Sequence, residues 1–355
     1  METTKRIIVA IDSFKGCLTS KEANQAASTG ILQSTPDAKV TAIPVSDGGE
    51  GWLEAFQSAL DGTLVDVVVR DPLMRPIMAQ YLTIDDTAVI EIAKASGLTL
   101  LTPEERNPMV ATSYGTGQLV VDAVRRGCKH LIVGLGGSAT SDCGIGMLRA
   151  IIDKFSKNGV WDDVRSFDGI HFTIATDVTN PLCGENGAAH VFAPQKGATG
   201  EMTASLEARA RLFAEKSALH FGYDRQHMPG AGAAGGLGYA FLQYLNADCR
   251  SGIDLLLEAI CFDKLLEDAD MIITGEGAAD RQTLMGKLPF GILQKAKIHH
   301  VPVVLIAGRV SDRQQLLDAG FAQVECINPR ALSTEEAVKP ETARRNIANT
   351  VRLLC

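Results

Sequence analysis

Residues 130–150, HLIVGLGGSATSDCGIGMLRA, constrain the fold more than any other stretch, because an apolar run passes directly into a glycine-rich polar loop. His130 to Val133 reads as a buried strand, and Gly134, Gly136 and Gly137 permit positive φ and close backbone approach. Ser138, Thr140 and Ser141 add hydroxyl groups, and Asp142 puts a carboxylate at the loop's far end. From Gly144 to Ile152 the apolar residues return at helical spacing. The amides of such a loop converge at a helix N-terminus, where a phosphate or other anion is stabilised. A tight strand-to-helix connection that binds nothing has the same local signature.

Two nucleotide motifs fit this loop only in part. The P-loop pattern G-x-x-x-x-G-K-[ST] is absent, so a lysine that reaches the β- and γ-phosphates has to come from elsewhere in the fold. Gly134, Gly136 and Ala139 satisfy G-x-G-x-x-A, but a dinucleotide fold also needs an acidic residue at the end of the next strand, roughly 20 residues on. Asp153 falls within the expected helix, and Asp162 and Asp163 stand beside a tryptophan in a polar stretch, so nicotinamide binding is the lesser reading.

A chain of 355 residues exceeds the size at which one hydrophobic core keeps growing, which favours two domains. The net charge of -8, with no segregated basic patch, argues against nucleic acid or an anionic membrane as partner. Eight cysteines are scattered singly with no C-x-x-C, which suggests reduced thiols and argues against zinc. The N-terminus METTKRIIVAID enters a strand without an apolar leader, and no apolar run approaches the roughly 20 residues needed to span a bilayer. A cytoplasmic protein is expected, with self-association left open.

Taken in order, the chain alternates strands, glycine loops and helices. Arg6 to Ile11 reads as a buried strand that stops at DSFKG, residues 12–16, before Thr19-x-x-Glu22 supplies a capping box. Lys15 lies in that loop, where a cation can meet a carboxylate or phosphate or merely solubilise. Lys39 to Val45 forms a second strand running into SDGGEG, residues 46–51, and a helix through Leu60. Asp47 and Glu50 therefore bracket a glycine turn, suited to a magnesium ion or a substrate hydroxyl, or simply to a helix dipole. From Thr63 the runs TLVDVVVR, IMAQYLTI and TAVIEIA, separated by turns, imply an antiparallel meander. A helix is expected from Gly117 to Arg126, and another from Gly200 to His220 after an irregular stretch. PGAGAAGGLG, residues 229–238, leads into a helix from Tyr239 to Leu245, and its small residues allow either a ligand or close packing.

Alternation resumes near the C-terminus with a strand from Met271 to Thr274, the loop GEGAAD, a helix from Met285 to His299, and strands at 303–307 and 323–327. The expected fold is α/β with two domains. Residues 1–66 and 270–355 make a discontinuous Rossmann-like parallel domain, and 67–269 an inserted mixed α/β domain with antiparallel strands. Gly169 to Thr176 reads as a strand ending in ATDV, which puts Asp177 at a strand's C-terminal edge, just before the Asn180-Pro181 turn. That carboxylate suits a general base or a metal ligand, or caps the turn.

Several blocks together resemble the bacterial glycerate kinase family that lacks a P-loop. They are DSFKG (12–16), DGGEG (47–51), ASGL (95–98), RNP (106–108), ATSYGTG (111–117), GLGGSAT (134–140), ATDVTNPLCG (175–184), FAPQKGA (192–198), PGAGAAGGLG (229–238) and ITGEG (273–277). The resemblance implies ATP- and magnesium-dependent phosphorylation of D-glycerate, on the 2-hydroxyl, by a two-domain α/β fold with its active site between the domains. It points to Asp177, Lys15, Asp47 and Asp280 as catalytic residues, with Asp47 and Asp177 on the metal. Asp12, Ser13, Arg70, Lys196 and Lys287 are candidates for the substrate. Gly136, Gly137, Ser138, Thr140, Gly275, Glu276 and Gly277 are candidates for the nucleotide. Ala278 stands where the family often has arginine, and Cys17 and Cys143 where glycine or serine is more usual. Phosphorylation of the 3-hydroxyl is the alternative within this class, and a nicotinamide-dependent dehydrogenase and a non-catalytic sugar-acid sensor are the alternatives of other classes.

Overall fold

The apolar run after Arg6 makes strand β1 (Arg6–Ile11), five of whose residues are buried. A strand apolar on both faces needs neighbours at both edges and cover above and below. In the computed structural model, which describes residues 4–49, 51–165 and 167–355, β1 pairs in parallel with β2 (Lys39–Ala42) and with β9 (Met271–Ala279). Strands β10 (Val303–Val310) and β11 (Gln323–Cys326) complete a parallel sheet of order β11-β10-β9-β1-β2. Helices Ser20–Ser34 and Pro340–Arg352 bring Ala27, Ile31, Ile347 and Val351 into its core, all fully buried. The first helix begins as its sequence requires, with Thr19 and Glu22 forming the reciprocal capping box.

Helix Ser20–Ser34 also fixes where the first two strands end. Buried Asn24 accepts from the Ile11 amide at 2.9 Å and donates to the Ile43 carbonyl at 3.0 Å. One turn earlier, the Ser20 hydroxyl donates to the Ile11 carbonyl at 2.6 Å and accepts from the Val45 amide at 2.9 Å. Leucine at 24 would leave the Ile11 amide and the Ile43 carbonyl buried and unbonded, each costing about 1–3 kcal/mol. Asn24→Leu is therefore expected to lower the urea stability of this part of the molecule by about 2–4 kcal/mol. A loss under about 1 kcal/mol would show that the backbone finds other partners.

The second sheet has the order β3-β4-β5-β6-β7-β8. Its strands are β3 (Thr63–Arg70), β4 (Pro76–Ile84), β5 (Thr87–Glu91), β6 (His130–Gly134), β7 (His171–Ala175) and β8 (Asp248–Arg250). The first three form the antiparallel meander their alternation predicts, and β5 to β8 run parallel. The fold is thus mixed α/β, with one parallel sheet and one sheet carrying antiparallel strands.

The chain divides into two compact units, one of Met1–Asp47, Glu54–Leu60 and Ile253–Cys355, the other of Gly48–Leu53 and Asp61–Gly252. These boundaries differ from those expected at 66/67 and 269/270. β3 is bonded to β4 along its whole length, from Thr63 to Arg70, so it cannot be cut at Asp66. Ile253, which begins the return segment, packs on Gly291 of the first unit. Among the described residues, no helix is long and apolar enough to cross a membrane.

Candidate active site

Strand β9 runs further than its sequence suggests. GEGAA continues the strand through Ala279 rather than opening a loop, because β10 extends alongside it and pairs Arg309 with Ala278 and Val310 with Ala279. Gly275, Glu276 and Gly277 therefore belong to the C-terminal end of a central strand, next to the end of β1, where parallel sheets collect their ligands. A cavity of 610 Å³ opens there, within the first unit. Its lining includes apolar Phe14, Ile327, Leu332 and Val338 and charged Asp12, Asp47, Glu276, Lys15, Lys287 and Arg309.

Asp12 follows β1 directly, its amide donating to the Gly275 carbonyl at 2.9 Å. Its carboxylate accepts from the Ser13 amide at 2.7 Å, which favours the ionised form. Burial and the neighbouring Asp47 charge outweigh that bond and the Lys15 cation, and push Asp12 up to about 7. Glu276 is also raised, chiefly by burial, against the Thr283 hydroxyl at 2.6 Å and the Lys287 ammonium at 3.5 Å. The cavity thus brings together Asp12, Ser13, Lys15, Asp47, Glu276, Gly277 and Lys287 from the sequence candidates. It adds Arg309, which stands in register beside Ala278 and lines the same cavity. A cation just beyond the buried run VVLIA, past Gly308, was the available signal. Glu50 lies outside the described residues.

The glycine loop after β6 belongs to the second unit and is held by backbone bonds. The Gly136 amide donates to the Gly48 carbonyl at 2.9 Å, Ala139 to Ser96 at 2.8 Å, and Leu98 to Gly137 at 2.8 Å. Gly137 has a φ of 74°, which a side chain would resist. Asp142, at the loop's end, accepts from the Ser113 amide at 2.8 Å, the Ser113 hydroxyl at 2.9 Å, and the Gly144 and Gly146 amides at 3.1 Å. That carboxylate is committed to fastening the start of helix Ile145–Phe155. Among the described residues, the amides of Gly137, Ser138 and Thr140 donate to no protein oxygen. The buried Thr140 and Ser141 hydroxyls likewise have no partner there. Donors left open around a glycine turn form an anion cradle.

Lys196 occupies a different place from that of a side chain reaching a substrate. It is 3% exposed, and its ammonium donates to the Ser138 hydroxyl at 2.8 Å and the Thr140 carbonyl at 2.6 Å. Burial pulls it down to about 7, with Asp142 opposing. Beneath the same loop, PGAGAAGGLG resolves in favour of packing. Ala234, Gly235 and Gly236 take positive φ, and a Cβ on Gly235 would stand 2.0 Å from the Thr140 carbonyl oxygen.

The remaining candidates, Asp177, Asp280 and Arg70, are held by bonds to backbone groups, and the Asp280 charge also acts on Glu276. Asp177, half-buried in the second unit, accepts from the Gly252 amide at 3.3 Å. Asp280 caps the turn Arg281–Leu284, accepting from the Gln282 amide at 2.7 Å. Arg70 ends β3 at the hairpin turn, where its guanidinium donates to the Met74 carbonyl at 3.2 Å.

A parallel sheet with carboxylates and cations at its strand ends, and a second sheet with an amide-lined loop, supply the kinds of group that an α/β phosphotransferase requires. Comparison with known proteins gives the same class: the sequence profile of the glycerate kinase family matches residues 7–355. A glycerate kinase of Bacillus subtilis is 39% identical over 374 residues, covering 98% of each chain. A glycerate 2-kinase of Escherichia coli is 38% identical over 380 residues, again with 98% of each chain. The crystal structure of the protein designated glycerate kinase 2 in Salmonella typhimurium LT2 superposes with a TM-score of 0.79 at 35% identity, covering 99% of this chain and 97% of that one. The chain belongs to the glycerate kinase family and is an enzyme, a phosphotransferase.

Proposed function

We propose that this enzyme transfers the γ-phosphoryl group of ATP to the 2-hydroxyl of D-glycerate, giving 2-phospho-D-glycerate and ADP. The observation that carries the reading is the first-unit cavity, whose lining brings the Asp12 and Asp47 carboxylates together with Lys15, Lys287 and Arg309. Phosphoryl transfer asks a protein mainly for positioning and charge neutralisation. Asp12 accepts the proton of the attacking hydroxyl as the new O–P bond forms and the bond to the ADP oxygen breaks. Lys15, Lys287 and Arg309 neutralise the substrate carboxylate and the transferring group. The anion cradle around Gly137, Ser138 and Thr140 receives phosphates of the nucleotide, in keeping with its open amides, while Gly136 is held on the Gly48 carbonyl.

Among the described residues, no group of three or more His, Cys, Asp or Glu side chains is arranged to hold a metal. Mg²⁺ needs less, since it takes one or two carboxylates and completes its shell with phosphate oxygens and water. Asp47 beside Asp12 fits that donor set, because a cation there would relieve the repulsion that raises Asp12. When bound, the ion would draw off charge from the transferring phosphoryl group. Asp177 and Asp280 are given structural duties in this reading, on the Gly252 amide and as a cap. All eight cysteines are free thiols, which supports a reducing cytoplasmic setting.

The test is ADP release from ATP and magnesium with a panel of small hydroxy acids. D-Glycerate should stand out, and no more ADP than in buffer would overturn the assignment. Added enolase alone should convert the product to phosphoenolpyruvate, whereas a need for added mutase would move the phosphoryl group to the 3-hydroxyl.

A further inference from the structure

A buried lysine without a carboxylate partner is costly, because desolvation of its charge is offset only by hydrogen bonds. Lys196 is such a residue. It follows helix Ala188–Phe192 in the short turn Pro194–Lys196, and the next residue, Gly197, abuts the Arg106 backbone. Both of its hydrogen bonds go to one segment, the Ser138 hydroxyl and the Thr140 carbonyl, across 58 and 56 residues of sequence. These two atoms flank Ala139, whose amide is tied to the Ser96 carbonyl. The turn is thereby tied to two other segments, and among the described residues the amides of Gly137, Ser138, Thr140 and Ser141 donate to no protein oxygen.

We propose that Lys196 is a positioning residue of the anion cradle: it touches no ligand, but fixes the direction of the open amides by holding Ser138 and the Thr140 carbonyl from below. The Thr140 carbonyl and the Ser141 N–H share one planar trans peptide and point opposite ways, so a carbonyl held on the ammonium turns the Ser141 N–H away from it. The cation also adds positive potential beneath the cradle. The reading rests on the proposed nucleotide role of the loop for its kinetic test alone.

Lys196→Met keeps the length and burial of the side chain and removes its donors, and Ser138→Ala removes one acceptor while keeping the lysine. Hydrogen–deuterium exchange of the ligand-free protein should speed up tenfold or more in peptides spanning 134–142 of Lys196→Met, and remain unchanged in peptides spanning 6–11 and 303–310. In steady-state kinetics KM for ATP should rise tenfold or more, with KM for D-glycerate within twofold of the parent. Lys196→Arg, which restores a cationic donor, should recover part of the KM effect. Because both changes act through one contact, the double variant Lys196→Met/Ser138→Ala should show a KM no more than twofold above that of Lys196→Met alone. If Lys196→Met does not fold, Ser138→Ala carries the same two measurements, with an expected effect of threefold or more.

Wild-type exchange over 134–142 in a folded Lys196→Met, or in Ser138→Ala should that variant stand alone, would overturn the proposal. So would an equal rise in KM for both substrates, which a general loss of structure produces. Absence of turnover with D-glycerate in the parent enzyme would overturn the proposed function and leave the exchange result to decide the role of Lys196.

Discussion

Asp12→Asn is expected to lower kcat for phosphorylation of D-glycerate by roughly 10²- to 10⁴-fold, the usual contribution of a positioned general base. The same substitution should leave the protein as stable as the parent or more so at pH 8. Asp12 is raised from 3.8 to about 7 by burial and by Asp47. Between those values the folded protein holds a proton that the unfolded chain has released, so stability falls as pH rises through that window. Above about pH 7 the folded state carries the whole cost of an ionised, half-buried Asp12, and asparagine removes that cost. Parent kcat/KM should fall about tenfold per pH unit below the Asp12 value and level off above it. A variant Asp12→Asn that keeps more than a tenth of kcat, with the acid limb intact, would place the base elsewhere.

The second large effect is one of stability. At Gly235 an added methyl meets the Thr140 carbonyl oxygen at 2.0 Å and the Ser141 Cα at 2.7 Å, both backbone, on a φ of 67°. No side-chain rearrangement relieves such a contact, so Gly235→Ala should destabilise the second unit by about 3–5 kcal/mol, combining overpacking with a left-handed backbone. Gly222, with a φ of 75° and open space around it, serves as the comparison. Gly222→Ala meets only the backbone preference and should cost about 1–2 kcal/mol. Urea unfolding of the two variants separates the terms, and equal losses would show that the loop yields to the methyl group.

The strands were legible because their apolar runs are long and bounded by polar turns. IIVAI and VVLIA read as strands buried in a parallel sheet, and the alternation from Thr63 reads as a meander. The far end of β9 was not, since GEGAA has the composition of a loop and is held extended by the ladder to Arg309 and Val310, residues some thirty positions away. The candidate site divides in the same way. Asp12, Lys15, Asp47 and Glu276 could be picked out because each follows directly on, or ends, a readable strand. Lys196 looked like a ligand cation because a sequence shows a charge without its burial. The third glycine stretch left packing and ligand binding open, and the closeness of Gly235 to Thr140 decided between them.

The parallel sheet of the first unit also dictates an order of events at the ribosome. β1 is flanked by β2, some thirty residues later, and by β9, more than 260 residues later. When residue 252 has been made, the second unit has all six of its strands, whereas the first has two of five. The apolar strand Ile7–Ile11 must therefore wait, with one edge unpaired, for the whole insertion to be synthesised. A long wait with an open edge is the condition under which nascent chains pair wrongly or recruit chaperones, so the wide separation of β1 and β9 makes the first unit the slower and more vulnerable part of biogenesis.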